Sequence, residues 1–309
     1  MKIVYMGTPD FAVPPLKRMK EAGYEIPLVV TQPDKPKNRG KQVLPTPVKV
    51  QAEVYGIPVL QPESISDSSE LIQILREINP DLIVVAAYGK LLPQSLLSLP
   101  RLGCINIHAS LLPRFRGAAP IQHAILSGDT DTGVTLMHMS SGMDEGDMIA
   151  SKATPIDKKT AGQLFDELAY LGADLLIEQL PRIEAGTADR TAQNHALAIY
   201  APKITKEHSR VDFYQKAAEI ERQIRAMNPR PGAYTLKEGT VMKLLSADVL
   251  EGPANDSPGL IKDVSKRGIL VATGRGDLLI TRIQMPGKQA VDVSEYIKGN
   301  KIETGTFLG

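Results

Sequence analysis

The sequence has 309 residues, enough for two domains with a substantial core in at least one of them. Hydrophobic residues make up 42% and charged residues 23%, as in soluble globular proteins, and the apolar runs are too short to cross a bilayer, which excludes a membrane protein. The single cysteine, Cys104, excludes an internal disulfide framework and a thiolate-rich zinc site, so a reducing cytoplasm is the simplest location.

Short apolar runs alternate with helical patterns in the first part of the chain. A strand is predicted at residues 2–7, directly after Met1, so we expect no signal or transit peptide. Further strands are predicted for IPLVV, IPVL, DLIVVAAY, GCINIH and TGVTLMHM, and a helix for residues 160–180. This alternation predicts an α/β fold with a doubly wound, mainly parallel (Rossmann-like) sheet, in which ligands bind beyond the carboxyl ends of the strands.

The second part of the chain has a different pattern. Periodicity fades between about residues 186 and 210, and a helix is predicted at about 214–227. Short strand-like runs follow: AYTL, VMKLLSADVL, GLIKDV, GILVAT and DLLITRIQM. These predict a small, OB-like β-barrel. The expected division is a first domain at 1–189, a linker at 190–208 and a second domain at 209–309.

Charge differs between the two parts, although the net charge is only +1. Residues 1–189 carry 18 Lys and Arg against 22 Asp and Glu, whereas residues 190–309 carry 18 against 13. The basic second part fits a polyanion, and it also fits an ordinary solvated surface.

The first strand leads into YMGTPDFA, where a nucleotide-binding turn would be rich in glycine. Only Gly7 is present, whereas a dinucleotide site needs G-x-G-x-x-G, and there is no Walker loop. A nicotinamide-dependent oxidoreductase is therefore disfavoured, and Gly7 is interpreted as a tight strand-to-helix turn.

Asn106 and His108 occupy alternate positions at the end of the apolar strand GCINIH, and so lie on one face. A third polar candidate, Asp144, follows a later strand in the run MDEGD. An amide, an imidazole and a carboxylate without a Ser or Cys nucleophile favour acyl transfer between two bound substrates. The amide stabilises an oxyanion in this hypothesis, while the imidazole and carboxylate manage protons. The alternative is that His108 has only a structural role and that the acidic run is a solvated loop.

No metal site is expected. The other histidines, His123, His138, His195 and His208, lack the spacing of metal ligands.

Residues 31–49 form a polar, proline-containing segment that is too long for a simple strand-to-helix connection. Its basic side chains include Lys35, Lys37, Arg39 and Lys41, which would suit phosphates. A solvated basic loop is the alternative.

The sequence resembles the folate-dependent formyltransferases and, among them, those that act on methionyl-tRNA. The resemblance covers essentially the whole chain and is carried by MGTPDFA, QPDKPKNRGK, NPDLIVVAAYGKLLP, NIHASLLPRFRGAAPI and MDEGDMI. It implies a cytoplasmic, monomeric enzyme that transfers a formyl group from 10-formyltetrahydrofolate to the α-amine of initiator methionyl-tRNA, without a metal.

The resemblance also implies roles for individual residues. Asn106, His108 and Asp144 match the catalytic residues of the family. The segment that matches its tetrahydrofolate-binding run is Ser110, Leu111, Leu112 and Pro113, with the pterin expected near AAYGKLL and residues 140–144. The basic loop matches an insertion that meets the tRNA acceptor end, with Arg39 as the best-matched contact, and the OB-like domain would follow the inner face of the tRNA.

Three alternatives remain open. The protein could be another formyltransferase, acting on glycinamide ribonucleotide or on an amino-sugar nucleotide. An enzyme for glycinamide ribonucleotide would be shorter by about a hundred residues, and an enzyme for an amino-sugar nucleotide should lack the basic loop. A non-catalytic tRNA-binding module would not need Asn106, His108 and Asp144 together. A dehydrogenase would bind a nicotinamide.

Overall fold

The computed structural model describes residues 1–37, 42–65, 68–253 and 256–309, except for the side chains of Lys37 and Gln42. The chain forms two compact units. The first comprises residues 1–120, 131–155 and 165–202, and the second comprises residues 121–130, 156–164 and 203–309.

The strands of the first unit are β1 (Lys2–Gly7), β2 (Glu25–Val30), β3 (Lys35–Lys37), β4 (Gln42–Leu44), β5 (Val59–Leu60), β6 (Leu82–Ala86), β7 (Cys104–His108), β8 (Arg116–Gly117), β9 (Asp131–His138), β10 (Met148–Pro155) and β11 (Tyr200–Ala201). The α-helices of the whole described chain are α1 (Val13–Glu21), α2 (Pro47–Val54), α3 (Ser69–Ile78), α4 (Gln94–Leu97), α5 (Pro120–Ser127), α6 (Ala161–Glu184), α7 (Ala217–Met227) and α8 (Val293–Tyr296).

The main sheet of the first unit has the strand order β10-β9-β7-β6-β1-β2-β5. Its five strands from β7 to β5 are parallel. All five residues of β6 are buried, as expected for a parallel strand that is covered on both faces. The predicted doubly wound, mainly parallel sheet is confirmed. It is completed by two antiparallel strands, because β9 runs against β7 and β10 against β9.

Gly7 ends β1 where the chain turns sharply. A Cβ at this position would lie 2.6 Å from the Cβ of Ala12 and 3.1 Å from the carbonyl oxygen of Ala86. The chain then passes through a 3-10 turn at Asp10–Ala12 into α1. Gly7 therefore has the expected role in a tight strand-to-helix turn.

The second unit contains the strands β12 (Ala233–Lys237), β13 (Thr240–Leu250), β14 (Ile261–Ser265), β15 (Gly268–Ala272), β16 (Asp277–Gln284) and β17 (Val291–Asp292). They form an antiparallel sheet of order β12-β13-β16-β15-β14, with β17 beside β16. Helix α7 packs against β13 and β16. The predicted β-rich C-terminal domain is thus confirmed, and it is built on an antiparallel sheet.

The last residues of the chain contact both outer strands of this sheet. Leu308 pairs with Lys237 at the end of β12, while Phe307 pairs with Leu260 just before β14. The Leu308 amide donates to the Gly259 carbonyl at 2.9 Å, and the Leu308 side chain is buried. The C-terminal residues therefore link the two outer strands of the open sheet.

Within the described ranges, no helix is both long enough and apolar enough to cross a membrane.

Candidate active site

Asn106 and His108 lie on the same face of β7, near its carboxyl end. Met137 of β9 lies opposite Asn106, and Thr135 lies opposite His108. Asn106 is partly buried, whereas the His108 side chain is only 6% exposed. The strand tolerates these polar groups because each faces a loop instead of the apolar interior.

Asp144 comes from the loop that joins β9 to β10. Because β9 is antiparallel to β7, its last residue His138 pairs with Ile105, and the loop must reach back to approach His108. Asp144 Oδ1 lies 3.4 Å from Asn106 Nδ2, and Oδ2 lies 3.6 Å from His108 Nδ1. The structure brings the three predicted catalytic residues together, at distances that are long for hydrogen bonds. Such contacts commonly tighten when substrates bind.

The tautomer of His108 follows from its other neighbour. His108 Nε2 lies 2.9 Å from the carbonyl oxygen of Phe115. A carbonyl oxygen only accepts hydrogen bonds, so Nε2 carries a proton. Nδ1 then faces the Asp144 carboxylate, and a second proton on the ring would point at that carboxylate.

The Asp144 carboxylate is held from the segment that follows β7. Gly117 N donates to Asp144 Oδ2 at 2.9 Å. Asp144 itself has a backbone φ of +51°, in the left-handed region that Asp tolerates better than most residues. Phe115 also has a positive φ, +61°. Two residues in sparsely populated conformations therefore present the groups that contact His108.

Several polar groups of the predicted folate-binding segment form hydrogen bonds with other groups of the protein. Ser110 is fully buried, and its hydroxyl donates to the Arg114 carbonyl at 2.7 Å. Thr135 Oγ1 donates to the Ser110 carbonyl and accepts from the amide of Leu112, at 2.8 and 3.1 Å. Leu112 is also buried, whereas Leu111 and Pro113 are partly exposed. The segment thus offers apolar surface more than free main-chain donors.

The AAYGKLL segment, near which the pterin is expected, is tied to two neighbouring loops. Its Tyr88 carbonyl accepts from Gln32 Nε2 at 2.7 Å and from Thr8 Oγ1 at 3.2 Å. The Tyr88 ring is buried, and burial raises its pKa to about 12, so the phenol stays neutral. The loops that follow β1, β2 and β6 are therefore fastened together at this carbonyl.

The basic segment begins with a short hairpin of β3 and β4. Lys35 is exposed, and its Nζ donates to Gln32 Oε1 at 3.1 Å. Arg39, Lys41 and the side chain of Lys37 lie outside the described residues.

The base of this hairpin is fastened by a small polar cluster. Lys49 Nζ donates to Asp34 Oδ2 at 2.6 Å and to Gln61 Oε1 at 2.8 Å, and Gln61 Nε2 donates to Asp34 Oδ1 at 2.7 Å. Burial opposes ionisation of Asp34, but the bonds from Lys49 and Gln61 outweigh it and hold its pKa below the usual value. Lys49, although part of the basic segment, is committed to this cluster.

In the part of the chain that the structure describes, no three His, Cys, Asp or Glu side chains are grouped to hold a metal ion. One polar residue near the site was missed by sequence reasoning. Gln193 donates to the carbonyls of Asp144 and Gly146 at 2.9 and 2.8 Å, from a segment that the sequence marks only as a linker. No local motif signals it, because its partners lie 49 and 47 positions away.

Family models match both parts of the chain. Residues 1–180 match the model described as Formyl transferase, and residues 203–301 match the model described as Formyl transferase, C-terminal domain. The fold and the site therefore define a formyltransferase.

Curated relatives narrow this class. The chain is 49% identical to a methionyl-tRNA formyltransferase of Clostridioides difficile, over 100% of both chains. It is 48% identical to one from Desulforamulus reducens, over 100% of this chain and 98% of that one. The chain belongs to the methionyl-tRNA formyltransferase family.

Solved structures of other proteins share the fold. The sugar 3N-formyl transferase WlaRD matches with a TM-score of 0.68 at 18% identity, over 94% of this chain and 99% of that one. HypX from Aquifex aeolicus in complex with tetrahydrofolic acid matches with a TM-score of 0.65 at 19% identity, over 99% of this chain and 51% of that one. At this identity the likeness concerns the fold.

Proposed function

We propose that this protein transfers the formyl group of 10-formyltetrahydrofolate to the α-amine of methionine on initiator tRNA. The observation that carries the proposal is the full-length identity of 46–49% to several methionyl-tRNA formyltransferases, together with the position of Asp144 beside both Asn106 and His108. The product is formylmethionyl-tRNA, which serves translation initiation.

The reaction needs no covalent enzyme intermediate. The amine nitrogen attacks the formyl carbon, and the carbonyl oxygen becomes an oxyanion. Collapse of this tetrahedral intermediate breaks the bond between the formyl carbon and N10 of the folate, while the amine loses a proton and N10 gains one. Asn106 donates a hydrogen bond to the oxyanion, and His108 donates another from Nε2 when the oxyanion replaces the Phe115 carbonyl as its acceptor. Asp144 balances the charge of the protonated ring and helps to remove the amine proton.

The folate donor binds beside Ser110, Leu111, Leu112 and Pro113. The partly exposed Leu111 and Pro113 supply an apolar wall for the flat pterin, the usual mixture in a small-ligand pocket. Ser110 and Leu112 are buried and keep this turn in shape. No metal takes part in this mechanism.

The tRNA meets two further parts of the chain. Lys35, Lys37, Arg39 and Lys41 of the basic loop contact phosphates at the acceptor end. The C-terminal unit is an OB-like barrel that follows the tRNA. The bridges of Phe307 and Leu308 to opposite sides of its sheet support closure of such a barrel.

The chain is divided into a catalytic domain at 1–189, a linker at 190–208 and a tRNA-binding domain at 209–309, and acts as a cytoplasmic monomer. The ranges matched by the two family models, 1–180 and 203–301, support this division.

The deciding experiment is formyl transfer by the purified protein with 10-formyltetrahydrofolate, comparing methionyl initiator tRNA with methionyl elongator tRNA. Strong preference for the initiator is expected. Transfer to an amino-sugar nucleotide or glycinamide ribonucleotide, with no transfer to either tRNA, would overturn the proposal in favour of a small amine acceptor.

A further inference from the structure

Gln193 is a buried amide whose hydrogen-bonding groups are fully used. It is 5% exposed, and its Nε2 donates to the carbonyl oxygens of Asp144 and Gly146 at 2.9 and 2.8 Å. Its Oε1 accepts from Nε and Nη2 of Arg116, at 3.0 and 2.7 Å. An amide has two N–H donors and one oxygen, so this arrangement satisfies it completely.

The two ends of this amide reach the two segments that surround His108. The two hydrogen bonds that Nε2 donates hold the loop that carries Asp144. The two hydrogen bonds that Oε1 accepts hold Arg116, whose neighbours in sequence are Phe115 and Gly117. The Phe115 carbonyl contacts His108 Nε2, and the Gly117 amide donates to the Asp144 carboxylate.

The main chain around Gln193 is fixed to the same two segments. Met148 and Thr191 exchange hydrogen bonds of 2.8 and 2.9 Å on one side. On the other side β8 pairs with β11, and the amide of Arg116 donates to the Ile199 carbonyl at 2.8 Å. A flexible surface connection would not place a glutamine so rigidly.

Asp144 needs such support because its backbone is held in the left-handed region. Such conformations persist when the surrounding structure determines them. The hydrogen bond from Gln193 to the Asp144 carbonyl fixes the peptide that follows the left-handed residue, and the bond to Gly146 fixes the next turn of the loop.

From these contacts we infer that Gln193 is a positioning residue for formyl transfer, which sets the place of the Asp144 carboxylate against His108. The inference rests on the proposed catalytic roles of Asp144 and His108. The position requires a side chain that accepts hydrogen bonds from Arg116 and donates to two carbonyls, as glutamine does. A glutamate of the same shape could pair with Arg116 but could not donate to the two carbonyls.

The test is the variant Gln193→Glu, assayed for formyl transfer to methionyl initiator tRNA. We expect kcat to fall on the order of 10²-fold, because displacement of a catalytic group by about 1 Å has this effect, while the KM values for folate and tRNA stay unchanged. The near-isosteric Gln193→Met, which adds no charge, should lose activity in the same way. A loss with Glu but not with Met would be an effect of the new charge and would overturn the inference.

Gln223 provides a matched control. Its Nε2 also donates to two main-chain carbonyls, those of His208 and Arg210, at 2.8 and 3.1 Å. Gln223→Glu makes the same chemical change in the second unit, and we expect it to lower the melting temperature without lowering kcat. An equal fall in kcat for both variants would mean general destabilisation and would contradict a positioning role.

A double-mutant cycle separates positioning of Asp144 from any other role. If Gln193 acts through Asp144, then Gln193→Glu causes no further loss of kcat in an Asp144→Asn background. A loss that adds in full would overturn the inference. Wild-type protein that formylates no tRNA would overturn the proposed function itself, and an active Asp144→Asn variant would remove the role of Asp144.

Discussion

At the scale of single residues, the candidate site combines a strand and two loops. Asn106 and His108 share a face because successive side chains of a strand alternate. Asp144 reaches them only because the loop after β9 turns back, with a positive φ at Asp144 itself. The chemistry of the site therefore depends on one regular element and one irregular one.

Replacement of Asn106 by Ala tests the oxyanion role. In the proposed mechanism the side-chain amide acts mainly in the transition state, so we expect kcat to fall on the order of 10²–10³-fold with little change in KM. Steady-state kinetics with 10-formyltetrahydrofolate and methionyl-tRNA measure both constants. Asn300→Ala is the control, because Asn300 is exposed and donates only to the Tyr296 carbonyl at 2.9 Å among the described contacts. An unchanged kcat in the Asn106 variant would refute the role.

His138, on the opposite face of β9 from Met137, links stability to pH. Burial lowers its pKa, the Arg190 guanidinium lowers it further, and Asp147 acts in the other direction. The unfolded chain therefore binds a proton at His138 more readily than the folded protein does. This contribution to stability is fully present above about pH 6.5 and is lost as the pH falls from there to the folded pKa.

His138→Gln removes this titration. We expect the free energy of unfolding of the wild type to fall relative to that of the variant as the pH is lowered from about 6.5 to about 5. Chemical denaturation of both proteins across this range measures the difference. A difference that stays constant with pH would mean that His138 binds its proton equally in the folded and unfolded states.

At the scale of elements, hydrogen bonds join the loops at the carboxyl ends of β1, β2 and β6 to one another. A separate set of hydrogen bonds holds the base of the basic hairpin. The hairpin is held at Asp34, Lys49 and Gln61, whose bonds join both of its ends. The described base of the hairpin is thus fixed by these bonds. A fixed base would suit the proposed contact of the basic loop with a polyanion.

Replacing Arg39 and Lys41 together with Ala should weaken use of the tRNA and leave folate binding unchanged. The salt dependence of tRNA binding should flatten by about 0.7 log units per log unit of salt for each lost phosphate contact. Titrations at several salt concentrations measure this slope. Collapse of folate binding would show instead that the loop has a structural role.

A control for this variant removes two positive charges that already have acidic partners. Arg18 lies 3.1 Å from Asp174, and Lys152 lies 3.0 Å from Glu178. The double variant Arg18→Ala and Lys152→Ala changes the net charge equally and should leave the salt slope as it is. A similar flattening there would mean that overall charge, not the loop, governs tRNA binding.

At the scale of the whole molecule, the chain forms two units, and it carries the candidate formyl-transfer site and a basic C-terminal part. The first unit is built on a mainly parallel sheet, and the second on an antiparallel one. The second sheet has two outer strands, and exposed strand edges are liabilities that proteins usually cover. Here the last residues of the chain lie against both.

Leu308 and Phe307 offer a matched test of this covering. Leu308 is 4% exposed, whereas its neighbour Phe307 is 57% exposed. Leu308→Ala should lower the free energy of unfolding by about 2 kcal/mol or more, and Phe307→Ala by less than about 0.5 kcal/mol. Thermal or chemical unfolding measures both, and hydrogen exchange in β12 and β14 localises the effect. Equal, small changes would mean that the C-terminal residues do not stabilise the sheet.

The fold class was predictable because its signals are local. Apolar runs such as DLIVVAAY and the helical pattern at 160–180 correspond to β6 and α6. The strand β10 was not predicted, because it begins directly after the acidic run MDEGD and its residues show no regular alternation of buried and exposed positions. Its pairing with β9 is decided by the hairpin, which only the folded chain forms.

The amino-acid sequence by itself determined the residue chemistry: an amide and an imidazole two positions apart, a carboxylate in a glycine-containing loop, and a basic segment. Only the tertiary structure decided that Asp144 approaches His108 from a loop that turns back and that the Leu112 amide donates to Thr135. It also decided that Gln193, in the segment predicted as a linker, donates hydrogen bonds to the Asp144 loop. The reason is physical. Periodicity and local composition act over a few residues, whereas these contacts join groups that are 23 to 49 positions apart and meet only when the loops have folded.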